Sequence, residues 1–408
     1  MTQTLSPKVV RMSEQTETEK VTPWLKIQIL SIAGGLSYLG SSMSTFAVIL
    51  RDKDVVGPVG VSVIFLSMLL PNILMAPISG QIADRFPSRV VVPTALLMMS
   101  ISALSLALIP ASWWAPFALF TIATFGSMVG ASFSATIGLV TRSEDLTRVT
   151  GIQQTYVSLG NLAGPAAGGI LVSTTGYFWP FVIDSASFFI LACVFLLVGL
   201  NRKPVIHADG EKPRAMDGFR FLFANPVLQS IMLLLMVVIL ALGTVSVGEV
   251  FLVVDELGAS TFVYGIIGAL FAGGALVGAL TLQTIKIAED KQSWGLVTSL
   301  LLMVISLASL SLAPNYWFAG FVYFLAGIGN AGVNIFAIGQ VQRMAKEETR
   351  GRIMAAVQGS VTSANAASLA IGGLLIGVFG VREVFFAAGI LSLTALAIFG
   401  PRLLKATR

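Results

Sequence analysis

Apolar runs of about twenty residues or more alternate with short polar stretches along the whole chain. They cover roughly 25–50, 58–79, 90–110, 114–140, 151–172 and 177–200, then roughly 227–254, 261–285, 294–313, 316–340, 353–379 and 384–400. A hydrocarbon core of about 30 Å needs roughly 20 helical residues, so each run is long enough to cross once. None has the period-2 alternation of a membrane strand. In lipid, a lone segment must satisfy its own backbone polar groups, which a helix does. The pattern predicts twelve transmembrane helices, the fifth and sixth separated only by residues 173–176.

Composition removes the soluble alternative. Of 408 residues, 55% are apolar and 11% charged, with mean hydropathy +0.87. Soluble domains carry about 25% charge, and a chain this poor in charge cannot cover a soluble surface. One cysteine (Cys193) and one histidine (His207) exclude a disulfide framework or a Cys/His metal centre. Charge placement then orients the chain. With the amino terminus in the cytoplasm, that side holds both tails, the loops at 81–89, 141–150, 201–226, 286–293 and 341–352, and 22 of the 25 Lys and Arg residues. The other side holds only Arg51, Lys53 and Arg382. The positive-inside rule therefore puts both termini in the cytoplasm. Residues 1–24 read as a polar tail without the short apolar core of a signal peptide, and 401–408 as a second tail. The basic stretch at 201–226 reads as a linker between bundles at 25–200 and 227–400. Its charge fits topology and anionic headgroups, not nucleic acid.

Sliding the sequence on itself by 204 residues, half its length, aligns the two bundles without a gap over about 80 residues. Thr94, Leu96, Leu97, Met99 and Pro110 fall on Thr298, Leu300, Leu301, Met303 and Pro314. Glu144, Arg148, Gln154, Asn161, Gly168, Gly169 and Gly176 fall on Glu348, Arg352, Gln358, Asn365, Gly372, Gly373 and Gly380. Parallel repeats of this kind enclose a site near the midplane, reached by rocking one half against the other. The expected fold is all-α and integral to the membrane, with twelve helices as two pseudo-symmetric six-helix bundles.

Two motifs sharpen this reading. After the second span the chain reads Gly80-Gln-Ile-Ala-Asp84-Arg85-Phe-Pro-Ser-Arg89. Gly permits close helix approach, and a carboxylate at a helix end suits the positive terminus of a neighbour. In the fifth span, Gly151, Gly160, Gly164, Pro165, Gly168 and Gly169 have the spacing G-x8-G-x3-G-P-x2-G-G. Gly160, Gly164 and Gly168 share one helix face on which another backbone can pack, and Pro165 removes a backbone donor. The chain resembles the major facilitator superfamily over essentially its whole length. The first motif is similar to that family's motif A, which latches the halves in one state and releases them in the other. Its second-half counterpart has Thr284, Ala288 and Ser293 and is lost. The second motif is similar to motif C, which in the family marks drug/proton antiporters. The stretches 160–189, with Asp184-Ser-Ala-Ser-Phe, and 347–384 resemble the macrolide-efflux and enterobactin-exporter branch. That branch often has an acid after the Leu-Gly of its first helix, where this chain has Ser41-Ser42. The resemblance implies a monomeric exporter in the bacterial cytoplasmic membrane, without a cofactor and powered by a proton gradient.

Apart from Lys26 at a helix end, only Asp184 and Glu249 bring charge into the predicted spans, and charge at depth is costly and usually functional. Either can bind the coupling proton. Glu249, near the outer end of a helix that lines the cavity in the resembled fold, is the better candidate, read equally as a residue at the lip beside Asp255 and Glu256. Asp184, on a peripheral helix of that fold, reads first as a water-exposed or structural carboxylate. The candidate substrate cavity is lined by Asn72, Gln154, Asn161, Tyr323, Asn330, Asn334, Gln358 and Asn365, unless these amides only join helices. A few hydrogen bonds and adaptable methionines suit a large, moderately apolar solute. Gly327-Ile-Gly329-Asn-Ala-Gly332 lies within an apolar span with no preceding strand, so it is not a dinucleotide loop, and no P-loop is present. No enzymatic constellation is found. The reading is a proton-driven exporter of a hydrophobic or amphipathic small molecule: a drug, a macrolide-like compound or a siderophore. An uptake permease or lysophospholipid flippase of the same fold, or a sensor without transport, are the alternatives.

Overall fold

The computed structural model describes residues 21–202, 226–284, 291–344 and 347–406. The helices are α1 Trp24–Leu74, α2 Ala76–Arg85, α3 Ser88–Leu108, α4 Trp114–Val140, α5 Leu146–Thr175 and α6 Phe178–Val198 in the first half. The second half has α7 Pro226–Val250, α8 Thr261–Thr284, α9 Gln292–Ser309, α10 Tyr316–Met344, α11 Glu347–Phe379 and α12 Val381–Ala406. There is no strand among the described residues. The amino-terminal tail through residue 20, most of the predicted linker with His207, and Ala288 lie outside them.

Among the described residues, ten helices are apolar and long enough to cross a membrane. Two further features bring the crossings to twelve. At 1.5 Å per residue, the 51 residues of α1 span about 77 Å, more than twice the hydrocarbon core. Gly57 breaks this helix at φ 62°, a conformation only glycine takes freely. Pro58 then opens the second arm, where a proline's missing donor costs nothing. The expected loop at 51–57 is thus helical up to a single reversing residue. Helix α5 adds the other crossing: 30 residues, rich in Gly, Gln and Thr and so less apolar than its neighbours. The loop expected at 81–89 shortens to Phe86 and Pro87, because α2 runs to Arg85. The tail expected from 401 is helical to Ala406.

The first half packs α1 against α5 and α6, and α3 against α4 and α6. The second packs α7 against α11 and α12, and α10 against α8 and α9. Between halves the main contacts are α5 on α8 and α1 on α11. The repeat reappears in this packing. A Cβ on Gly168 would meet Met43 of α1, and one on Gly372 would meet Thr244 of α7. Gly169 lies against Thr261 and Gly265 of α8, and Gly373 against Pro58 and Ser62 of α1, so the two equivalent glycines carry the two cross-half contacts.

Candidate functional site

Two named faces serve as landmarks: the Lys53 face, which also carries Arg51 and Arg382, and the opposite, tail face. The close contacts between halves gather at the Lys53 face. Pro165 O lies 2.5 Å, and Gly169 Cα 3.1 Å, from where a Cβ on Gly265 would stand. The Phe46 and Tyr264 rings stack at 4.8 Å across the boundary. Beyond them Lys53, only 4% exposed, donates to Asp54 Oδ1 and, across the halves, to Asp255 Oδ1, each at 2.5 Å. Around this bond each half is braced internally. Arg51 chelates Asp52 and donates to Leu106 O at 2.8 Å. Arg382 pairs with Glu256 and donates to Ser311 O and Ala313 O.

Below this seal lie two cavities that share Glu249. One, of about 550 Å³, runs through the second half from Glu249 to Val341 and Met354 near the tail face. Its walls include Tyr323, Asn330, Asn334, Gln358 and Asn365, so five of the eight predicted cavity residues converge there. The other, of about 440 Å³, lies between α1, α5, α7 and α8 and takes in Asn161, Ser41, Tyr264 and Glu249. Glu249 is the one charged residue among the described residues lining either cavity. The Tyr323 hydroxyl is buried without a hydrogen-bond partner among the described residues. Asn334 donates to the Asn330 backbone and side-chain oxygens at 2.9 and 3.2 Å, leaving its own carbonyl oxygen available. An orphan phenol, several amides and one carboxylate among apolar and methionine walls can orient an amphipathic solute while most of its area makes apolar contact.

Several expectations are corrected. Asn72 is exposed and donates to Met68 O of its own helix, and neither it nor Gln154 lines these cavities. Asp184 is not water-exposed: it is 2% exposed and accepts from Ser41 Oγ at 3.1 Å. Gly160, Gly164 and Gly168 do hold α1 close. A Cβ there would come within 2.7 Å of Gly35 O, 2.4 Å of Ser42 Cβ and 3.2 Å of Met43 Cγ respectively. Gly151 and Gly80 have nothing within 4 Å, so neither serves close packing.

The motif at 80–89 closes within its own half rather than between halves. Asp84 accepts from Arg202 Nη2 at 2.7 Å, and the same guanidinium donates to Ala83 O at 2.7 Å. Arg85 and Arg89 are exposed, Arg89 making a long backbone contact to Asn201 Oδ1. Arg202 was not singled out from the sequence, because it sits among the topogenic charges of the linker. Its side chain is 11% exposed while Asp84 is 46% exposed, so the arginine loses more when the pair is broken. Arg202→Gln is expected to cost about 1 kcal/mol, read as a lower melting temperature in detergent. An unchanged melting temperature would remove the pair from any structural role.

A family model described as Major Facilitator Superfamily matches residues 30–289 and 249–407. The chain is 24% identical over 358 residues to the uncharacterized MFS-type transporter YfiS of Bacillus subtilis (strain 168), covering 82% of each. It is 28% identical over 278 residues to the enterobactin exporter EntS of Shigella flexneri, covering 68% of this chain and 64% of that protein. Among solved structures, a bacterial homolog to human lysosomal transporter Spinster, in inward-facing and unoccupied conformation, superimposes with TM-score 0.74 at 14% identity over 95% of this chain and 99% of the other. A POT family transporter in complex with 5-aminolevulinic acid does so with TM-score 0.71 at 14% identity, over 92% and 96%.

Proposed function

The chain belongs to the Major Facilitator Superfamily, and we propose that it is a secondary active exporter that moves a hydrophobic or amphipathic small molecule by alternating access, in exchange for protons. The observation that carries this reading is the shared position of Glu249, the lone charge of both cavities, just beneath the sealed Lys53 face. With both termini in the cytoplasm of a bacterium, the tail face is cytoplasmic, as the distribution of Lys and Arg requires. The cavity then loads from inside, and rocking of the halves opens it outward.

In this scheme Glu249 binds either a proton or a cationic group of the solute, and the competition couples the two flows. Its carboxylate is costly to leave bare in an apolar wall, so each half-cycle ends with one of the two bound. The energy source is the proton gradient, with no cofactor. The helix-five glycines support export over uptake through the motif they resemble. The relatives named as exporters support it too, at identities that leave the solute open.

The test is accumulation in a pump-deficient bacterial host and in everted membrane vesicles. Macrolides, phenicols, tetracyclines, ethidium and a catecholate siderophore serve as probes, with and without a proton uncoupler. Uncoupler-sensitive export of at least one class is expected, with Glu249→Gln reducing it to the vector background at equal membrane abundance. Vesicles that accumulate a probe only when their interior is alkaline would favour the uptake reading. Full activity in Glu249→Gln would remove Glu249 from coupling.

A further inference from the structure

We propose that Asp184 is a second proton-carrying acid, lodged in the first half and joined to the cavity between the halves by the hydroxyl of Ser41. The inference rests on the transport reading but goes beyond it, since Asp184 lines neither cavity.

The geometry is that of a closed acid with one exit. Asp184 lies on α6 and is 2% exposed. Opposite it, α1 presents Gly40, on which a Cβ would stand 3.1 Å from Asp184 Oδ1, so helix backbone is packed against the carboxyl. No lysine, arginine or histidine reaches it among the described residues. From α1 it faces Gly40, Ser41 and Ser44, and the neighbouring residue Ser185 ties α6 to Ser100 of α3. None of these groups is ionisable. A bare carboxylate in such a place is costly.

The Ser41 hydroxyl points to what the carboxyl carries. Its Oγ is 3.1 Å from Ser37 O and 3.1 Å from Asp184 Oδ1, and it has one proton to give. An ionised Asp184 would leave that proton divided between two acceptors. A protonated Asp184 donates to Ser41 Oγ, Ser41 donates to Ser37 O, and each bond is complete. Ser44, whose buried hydroxyl faces the same carboxyl and has no other hydrogen-bond partner among the described residues, can donate to the carboxylate as well. On its other side Ser41 lines the 440 Å³ cavity with Asn161, Tyr264 and Glu249. Release is therefore a relay: the Ser41 O–H turns from Ser37 O to a water in the cavity and gives it its proton, while the Asp184 O–H proton passes to Ser41 Oγ. Asp184 ends as a carboxylate, Ser41 remains a hydroxyl, and the proton leaves as hydronium or protonates Glu249.

Two further observations fit a working group better than a scaffold. The 204-residue repeat places Ala388 opposite Asp184, so the fold itself does not call for an acid at this point. Helix α1, whose Ser41 is hydrogen-bonded to Asp184 of α6, also carries Phe46 and Lys53 of the seal. A change of charge at Asp184 therefore acts on the helix that carries the first half's part of the seal.

Infrared spectra of the full-length protein in phosphatidylethanolamine–phosphatidylglycerol nanodiscs test this. At neutral pH a protonated-carboxyl C=O band is expected that Asp184→Asn removes and Glu249→Gln retains. On transfer to heavy water that band should shift with exchange, and Ser41→Ala should slow the shift relative to the parent protein. No band lost in a folded Asp184→Asn protein, or equal exchange in Ser41→Ala, would overturn the proposal. Should Asp184→Asn not fold, the Ser41→Ala exchange decides alone, because it leaves the acid in place. The spectra involve no solute, so a failed export assay with the bands and exchange as expected removes the exporter reading and leaves Asp184 its proton.

Discussion

Replacing Lys53 with methionine is expected to shift the protein out of the state in which its Lys53 face is sealed. The ammonium is buried and bonded to Asp255 of the other half, while Asp54 belongs to its own helix. Methionine fills a similar volume and removes both ammonium bonds, of which only the one to Asp255 crosses the boundary. A hydrogen bond to a charged group contributes about 1.5–3 kcal/mol. Asp255 is 42% exposed, so water and salt screen it and the figure falls to about 1 kcal/mol. Since about 1.4 kcal/mol is a factor of ten in an equilibrium, the ratio of the two conformers should move several-fold. Charge reversal by Asp255→Lys should move it further, and the exchange of both residues should restore part of it. Spin labels at Val55 and Leu312, exposed at 75% and 74% on opposite halves, read the result. A longer distance component is expected in Lys53→Met, and an unchanged distribution would show that the bond does not hold the seal.

Gly164→Leu is expected to abolish export and lower the yield of folded protein, while Gly151→Ala leaves both intact. The first position is already closed: a Cβ there stands 2.4 Å from Ser42 Cβ and 3.2 Å from Leu39 O. Backbone cannot move aside as a flexible side chain can, so a leucine must push α1 away from α5. Overpacking typically costs about 1–3 kcal/mol, and here it is added on the helix that carries the seal. Gly151 lies mid-helix with open space around it, where alanine gains up to about 1 kcal/mol of helix propensity. Thermal stability by size-exclusion fluorescence, beside ethidium or macrolide accumulation, separates the two. A Gly164→Leu protein as stable and active as its parent would mean that α1 and α5 separate freely. The same small-residue contact recurs in the second half with the roles exchanged, Ser368 packing onto Gly243.

These two predictions differ in how far they were legible in the sequence. The helix-five glycines stand out as a spacing, because close helix packing demands a small residue every fourth position on one face. Their partners are not legible: nothing in the sequence says that Gly164 meets Ser42 while Gly169, five residues on, meets α8. Lys53 was visible only as an exception, one of three basic residues on the side otherwise nearly free of them. That sparseness was a signal, since a charge placed against the topological rule needs a reason, but it did not identify Asp255. The candidate polar residues of the cavity split in the same way. Tyr323, Asn330, Asn334, Gln358 and Asn365 share a wall, whereas Asn72 and Gln154 stand elsewhere, because a polar residue in an apolar span does not declare which way its helix is turned.

The sequence by itself determined the membrane as solvent, the twelve crossings, the two repeated halves and the family, since these follow from local hydropathy, length and residue spacing. Tertiary structure alone decided which face is sealed, which carboxyl lies open to the cavities and which is enclosed. Asp184 and Glu249 look alike in the sequence, each a single acid in an apolar helix. One is closed off by the backbone of α1 and the other stands where two cavities meet, because burial and partnership depend on helix rotation and on contacts between residues far apart in the chain. A hydrophobic pattern nearly uniform around each helix leaves that rotation unspecified.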